Sequence, residues 1–177
     1  MGKGKIRLKK GNIVDEKVDA IVNAANPSLM GGGGVDGAVH RAGGRKIMEE
    51  CLEIVKKLPA GRLESGEAVM TSGGDLKSEH VIHTVGPVWR GGKQDEEERL
   101  KSAYRNSLRI AKENNFREIS FPSISTGAYG YPVVLASRIA LSAVSEFLEE
   151  NAMTVNFVLF DDDTYKVYRN ALDALSM

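Results

Sequence analysis

The sequence predicts an α/β layered domain, a mixed and mostly parallel sheet of about six strands flanked by helices. Three observations carry this. Short apolar runs alternate with amphipathic helical stretches, the pattern of helices covering both faces of a sheet. Two of the runs, residues 20–22 and 155–160, are apolar at successive positions, as a central strand with both faces buried must be. Residues 67–71 and 80–85 follow one another with only the turn-like Gly73-Gly74-Asp75 between, which calls for some antiparallel pairing.

In order, Ile6 and Leu8 alternate with Arg7 and Lys9 as a half-buried first strand ending at Gly11, and residues 18–22 form the second. Four glycines, residues 31–34, precede Asp36 and a helix start at residues 38–42. Gly43 and Gly44 interrupt that helical pattern, which resumes over residues 45–57 and stops at Leu58-Pro59. After the antiparallel pair, a helix runs from about Asp95 to Glu113, with Leu100, Ala103, Tyr104, Ser107, Leu108 and Ala111 on its inner face. Asn114-Asn115 ends it, and residues 118–122 give a further strand. A second small-residue loop, residues 123–132, leads through Pro132 at a first helical turn into a helix reaching about Glu149. Its inward residues are expected to be Ile139, Ala140, Ala143, Val144, Phe147 and Leu148. Residues 155–160 are the last strand, and residues 161–163 can cap a final helix whose acidic first turn suits the helix dipole.

At 177 residues, with no repeat, low-complexity tract or linker, the chain is expected to form one domain over residues 1–177. Residues 1–10 carry no apolar export segment, and no run approaches the ~20 apolar residues of a membrane span, so a cytoplasmic protein is expected. Basic and acidic residues balance at 24 each, which argues against nucleic acid as a partner. The single cysteine, Cys51, excludes an internal disulfide and sits at helical spacing with Ile47, Val55 and Leu58, as a buried hydrophobe would. His40, His80 and His83 show no metal spacing and are read as structural, and Trp89 with Arg90 as packing at a loop base.

Residues 32–37 match the dinucleotide fingerprint G-x-G-x-x-G literally, but eight residues separate Val22 from Gly31, and the region where an acidic strand end should follow is a charged helix. A Rossmann enzyme is therefore disfavoured, and the P-loop pattern is absent. The two loops, residues 31–34 and 125–130, each precede a helix and can offer backbone amides to the two sides of a diphosphate; the alternative is a pair of ordinary turns. Asp36 is a candidate general base or ribose orienter, or equally a helix cap. Asn26 can start a turn at Pro27 or grip a ribose diol, and Asn23 suits a structural hydrogen-bonding role.

The stretch NAANPSLMGGGGVDGAVHRAGG, residues 23–44, resembles the signature of the macro domain, in particular the bacterial O-acetyl-ADP-ribose deacetylase branch of MacroD type. The resemblance covers nearly the whole chain and implies a three-layer α/β/α macro domain. It implies further that Asn12 and Ile13 meet the adenine, with Asn12 standing where an aspartate is usual, and that Phe160 stacks on the base. Gly33, Gly34 and Val35 would line one side of the diphosphate, and Ser125, Thr126, Gly127, Ala128 and Tyr129 the other, with Tyr129 shaping the distal-ribose pocket and Asn23 nearby. Gly33 and Gly127 are expected to be glycine because a Cβ would clash with ligand or forbid the backbone angle. Asn26 and Asp36 match the distal-ribose asparagine and the catalytic aspartate.

The resemblance thus implies a metal-independent hydrolase, with no cofactor, acting on O-acetyl-ADP-ribose and on mono-ADP-ribose carried by acidic side chains. The competing expectation is a non-catalytic ADP-ribose reader, and a third an RNA-binding or scaffold protein.

Overall fold

The computed structural model describes residues 3–176; Met1, Gly2 and Met177, which the export and single-domain readings include, lie outside them. The strands are β1 (Lys5–Lys10), β2 (Ala20–Ala24), β3 (Ala68–Ser72), β4 (His80–Thr84), β5 (Glu118–Phe121) and β6 (Thr154–Leu159). The helices are α1 (Gly34–Gly43), α2 (Arg45–Lys57), α3 (Glu96–Glu113), α4 (Val133–Leu148) and α5 (Asp162–Leu175). The sheet order is β1-β6-β5-β2-β4-β3, with β3 antiparallel to β4 and every other pairing parallel. β2, β4, β5 and β6 are interior, which is why their residues are apolar or internally paired on both faces.

Alternation along the strands divides the core in two. Ala20, Val22, Ile82, Ile119, Phe121, Val155, Phe157 and Leu159 face α3, α4 and α5, whereas Ile21, Val81 and Val158 face α1 and α2 with Val39, Ile47 and Cys51. Helices therefore cover both faces of the sheet, the three-layer α/β/α arrangement. Cys51 is fully buried, as its spacing predicts. The inner face expected for α3 is buried in full. The face of α4 is rotated from expectation: Ile139 and Phe147 are only half-buried, while Ala136, Ser137 and Leu141 are inside. This helix packs against α3 on one side and α5 on the other, which widens its buried stripe.

Several boundaries also differ. β2 starts and ends two residues later than the expected 18–22, which puts Asn23 inside the sheet, where parallel pairing with β4 continues to Ala24. α1 begins at Gly34, with Gly33 as its N-cap, so Asp36 lies inside the first turn and makes no capping bond. Pro132 is the N-cap of α4 rather than a first-turn residue. β6 ends at Leu159, which leaves Phe160 outside the sheet. Asp161 does cap α5, accepting from Thr164 N at 2.8 Å. Among the described residues no helix is long and apolar enough to cross a membrane.

Candidate functional site

The five parallel strands run in one direction, so their carboxyl ends form one rim, the place where open α/β sheets bind ligands. Every segment singled out in the sequence leaves that rim: residues 11–13 after β1, 25–36 after β2, 123–131 after β5 and Phe160 after β6. The segment after β4 completes it. A cavity of about 300 Å³ between the two small-residue loops is lined by Asn26, Gly33, Gly34, Val35 and Asp36 from one side and by Ser125, Gly127, Ala128 and Tyr129 from the other.

The first loop is tied by its own polar groups. Asn26 Nδ2 donates to Gly31 O at 2.7 Å, and Asn26 Oδ1 accepts from Ser28 Oγ at 2.8 Å. Leu29 takes a left-handed conformation (φ 60°) within it, a cost of order 1 kcal/mol that this bonding offsets. Asp36, only 5% exposed, has its Oδ1 held by Asn23 Nδ2 at 2.9 Å, and His40 Nε2, one helical turn on, lies 3.5 Å from the same oxygen without a hydrogen bond. Its Oδ2 is buried without a hydrogen-bond partner among the described residues. A buried acceptor in that condition is a place for a donor, such as water or a ligand hydroxyl.

Behind Asp36 runs a buried polar chain. Strand register sets Asn23 beside His83, and Asn23 Nδ2 lies 3.1 Å from His83 Nδ1. Since the amide can only donate there, Nδ1 accepts and the ring proton sits on Nε2, which points at Thr71 Oγ1 at 2.9 Å. Thr71 Oγ1 in turn donates to Ser72 O at 2.9 Å. Burial, then the nearby His40, lowers the His83 pKa from 6.5 to about 3, so this imidazole is neutral. Cys51 Sγ lies 4.0 Å from the same ring; burial, then the charges of Asp36 and Glu50, push its thiol up to about 12, which makes it inert packing.

The second loop is anchored from the opposite core. Tyr104 of α3, fully buried, accepts from Ile124 N at 3.2 Å, and Tyr168 of α5 donates to Ser123 Oγ at 2.8 Å. Ser125 is left-handed (φ 67°), a second strained residue at the cleft, and its carbonyl accepts from Tyr131 N at 2.9 Å. Burial, then the charge of Asp36, raises the Tyr129 pKa and keeps its hydroxyl protonated. Trp89 packs on Tyr131, ring centroids 4.6 Å apart, as a loop-base residue should.

The other expected residues stand elsewhere. Asn12, Ile13 and Phe160 lie outside this cavity: Asn12 is exposed and caps the short 3-10 turn Ile13–Asp15, accepting from Val14 N at 3.2 Å, and Ile13 is buried at 4% exposure. The residue ahead of that turn is tied to the end of β6 by Gly11 N donating to Leu159 O at 3.0 Å, and Phe160 is 78% exposed. Asn23 is fully buried and reaches the cavity only through Asp36, while Thr126 turns its hydroxyl to Ser123. The backbone reason for glycine at 33 and 127 does not hold. Gly33 is extended (φ −93°), neither residue has a positive φ, and a Cβ on either meets nothing within 4 Å.

Gly32 lines the cavity with the rest of its loop, and sequence reasoning missed Ala24, Ala25, Gly86, Ser123 and Ile124, which also line it. The signal for Gly86 was its place just past the end of β4. A Cβ there would collide with Ser125 Oγ and Ile124, so glycine is what lets the second loop settle onto the rim.

A family model for the macro domain matches residues 22–140. A macro domain-containing protein of Caldanaerobacter subterraneus subsp. tengcongensis is 56% identical over 174 residues, covering 98% of each chain. The O-acetyl-ADP-ribose deacetylase of Escherichia coli K12 is 48% identical over 172 residues, 96% of each. The Oceanobacillus iheyensis macrodomain solved with ADP matches with a TM-score of 0.95 at 44% identity, covering 98% of this chain and 93% of that one. A glycine-to-valine variant of it, solved with ADPR, matches with a TM-score of 0.95 at 43% identity, covering 98% and 95%. In sequence and in fold alike, the chain belongs to the macro domain family.

Proposed function

We propose that this protein binds ADP-ribose and hydrolyses an ester on its distal ribose, releasing acetate from O-acetyl-ADP-ribose and mono-ADP-ribose from acidic side chains of proteins. The observation that carries the reading is Asp36: one carboxylate oxygen is fixed by Asn23, and the other is buried beside the cleft with no partner among the described residues. In this reading Asn26 orients the ribose and the two loops hold the diphosphate, with the α1 N-terminus favouring its charge. Water held on Asp36 Oδ2 adds to the ester carbonyl carbon, Asp36 takes its proton, and the proton passes to the ribose oxygen as the carbon–oxygen bond breaks. The products are acetate, or the free carboxyl of a protein side chain, and ADP-ribose. General-base help of this kind is worth about 10²–10⁴ in rate.

Asn12, Ile13 and Phe160 would take the adenine at the far end of the rim. Residues 1–177 are read as one macro domain working in the cytoplasm, with nucleic acid not expected as a partner at a formal net charge of zero. The test is to incubate the protein with O-acetyl-ADP-ribose and with a mono-ADP-ribosylated protein, and to follow acetate and free ADP-ribose. Release from the acetyl ester is the required result. Tight ADP-ribose binding with no turnover of either would make the protein a reader instead.

A further inference from the structure

A second cavity, of about 280 Å³, opens on the other side of the wall formed by Pro27, Gly86 and Tyr129. Gly86 and Tyr129 line both cavities, and Pro27 follows Asn26 directly, so the two meet at the end of the cleft where Asp36 and Asn26 sit. Its outer lining holds Arg62, Arg90 and Arg99. Arg62 is paired with Glu64, Nε to Oε1 3.0 Å. Among the described residues, Arg90 and Arg99 have no carboxylate within 4.0 Å, and Arg99 donates only to Ser65 Oγ at 2.8 Å.

The remaining acid in this lining, Glu96, is ionised but turned to backbone amides instead of to either guanidinium, so the lining keeps one net positive charge, three arginines against Glu64 and Glu96. It is 2% exposed, and its carboxylate accepts from Arg90 N at 2.8 Å, Gly92 N at 2.9 Å and Gln94 N at 2.6 Å. Burial alone would raise its pKa, but the amides of Gly92, Arg90 and Gln94 outweigh that and hold it at about 2. The same bonds fix the turn that carries Arg90, and Trp89 N donating to Tyr129 O at 2.8 Å ties that turn to the wall. Two unpaired guanidinium groups are thus held on a rigid base beside the reacting end of the cleft. The volume is at the lower edge of the ~300–1,000 Å³ of small-molecule sites, suited to short side chains rather than a second nucleotide.

We propose that this groove receives the acidic peptide segment flanking an ADP-ribosylated side chain, with Arg90 and Arg99 pairing to its Asp or Glu residues. This rests on the functional reading above, because it takes the substrate's protein portion to leave the cleft past Tyr129 and Gly86. An acetyl ester carries no peptide segment to place there, so the groove discriminates between the two substrate classes.

The test reads affinity rather than turnover. Free ADP-ribose is compared by calorimetry with amide-linked ADP-ribosyl peptides, hydrolysis-resistant, whose flanks are either Asp/Glu or Ser. The acidic conjugate is expected to bind about three- to tenfold more tightly than ADP-ribose, the range two exposed ion pairs supply. The serine conjugate should show no gain, and the advantage should vanish near 1 M salt. In the double variant Arg90→Gln/Arg99→Gln the advantage should be lost while the Kd for ADP-ribose stays the same; Arg90→Lys/Arg99→Lys should keep most of it. A native protein with no preference for acidic flanks, or a Gln variant that keeps the preference, overturns the proposal and leaves the functional reading standing. A larger gain for ADP-ribose carried on a nucleic-acid terminal phosphate also overturns it. Failure of free ADP-ribose to bind at all overturns both.

Discussion

The two ends of the rim are built in opposite ways. At the Asp36 end, side chains are buried and their geometry is fixed several times over: Asn23, His83 and Thr71 form a chain from β2 through β4 to β3, and two strained residues are held in place. At the Phe160 end, the aromatic ring is 78% exposed and Asn12 sits on the surface, its side-chain oxygen serving a local turn. A reaction needs groups placed before substrate arrives, whereas a base-stacking contact can form as the base arrives. On the proposed function this difference would assign rate to one end and affinity to the other, and each substitution bears on that division.

The largest effect is expected at Asp36. Asp36→Ala should lower kcat on O-acetyl-ADP-ribose by roughly 10²–10⁴, about 3–5 kcal/mol of barrier, and change the Kd for ADP-ribose little. Steady-state kinetics and calorimetry on the same preparation separate the two. Parallel loss of kcat and affinity would mean that the buried end binds as much as it reacts, and the division would fall.

Next comes the polar chain behind it. His83 in the unfolded chain takes a proton at about 6.5, whereas in the folded protein it resists until about 3. Between those values the unfolded state binds one more proton, so stability falls as pH drops through the window, by up to about 1.4 kcal/mol per pH unit. Above 6.5 this contribution is fully present. His83→Asn keeps an acceptor near Nδ1 for Asn23 and removes the titration, so its urea-melt stability should fall less steeply between pH 7 and 4.5. His83→Leu, with no acceptor for Asn23, should in addition lose roughly tenfold in kcat at unchanged KM, about the worth of one hydrogen bond. Identical acid slopes in the native and Asn proteins would show that another group titrates.

That chain also marks where the sequence stops being informative. Periodicity exposes strands and helices because each depends on neighbours one to four residues away, and the antiparallel pair after Leu58-Pro59 and the inner face of α3 follow directly from it. Asp36 and the two glycine- and serine-rich loops are conspicuous for the same local reason. The contact between Asn23 and His83 spans 60 positions and exists only because β2 lies beside β4 in a given register. Tyr104 reads as a core residue, yet its hydroxyl, together with that of Tyr168, positions the second loop, a role decided by which helix covers which strand. The ligand itself was legible only through the family resemblance, since an exposed Phe160 or Asn12 has no pattern of its own.

At the affinity end, Phe160→Ala should leave stability within about 0.5 kcal/mol, because the ring is exposed in the free protein. Binding of ADP-ribose should weaken by about 1–3 kcal/mol, the worth of a base stacked on an aromatic side chain. kcat at saturating substrate should hold. An unchanged Kd in calorimetry would remove Phe160 from the adenine site, and a fall in kcat would show that the two ends are coupled.

The smallest effect concerns Asn12. Its Oδ1 already accepts from Val14 N, so the atom left to meet the base includes a donor, Nδ2, where an adenine amine is also a donor. Asn12→Asp keeps the cap on the turn and offers a second oxygen to that amine, with charge assistance reduced by solvent exposure. The gain in ADP-ribose affinity should be under about 1 kcal/mol. Discrimination is the sharper readout. A hypoxanthine analogue of ADP-ribose presents a carbonyl where adenine has its amine, which suits the Nδ2 of Asn12 and repels a carboxylate. The native protein should therefore bind the two ligands within a few fold, and the Asp variant should separate them further by weakening the analogue while tightening ADP-ribose. If the ratio of the two affinities is the same in both proteins, residue 12 does not touch the base edge, and recognition at this end is reduced to stacking.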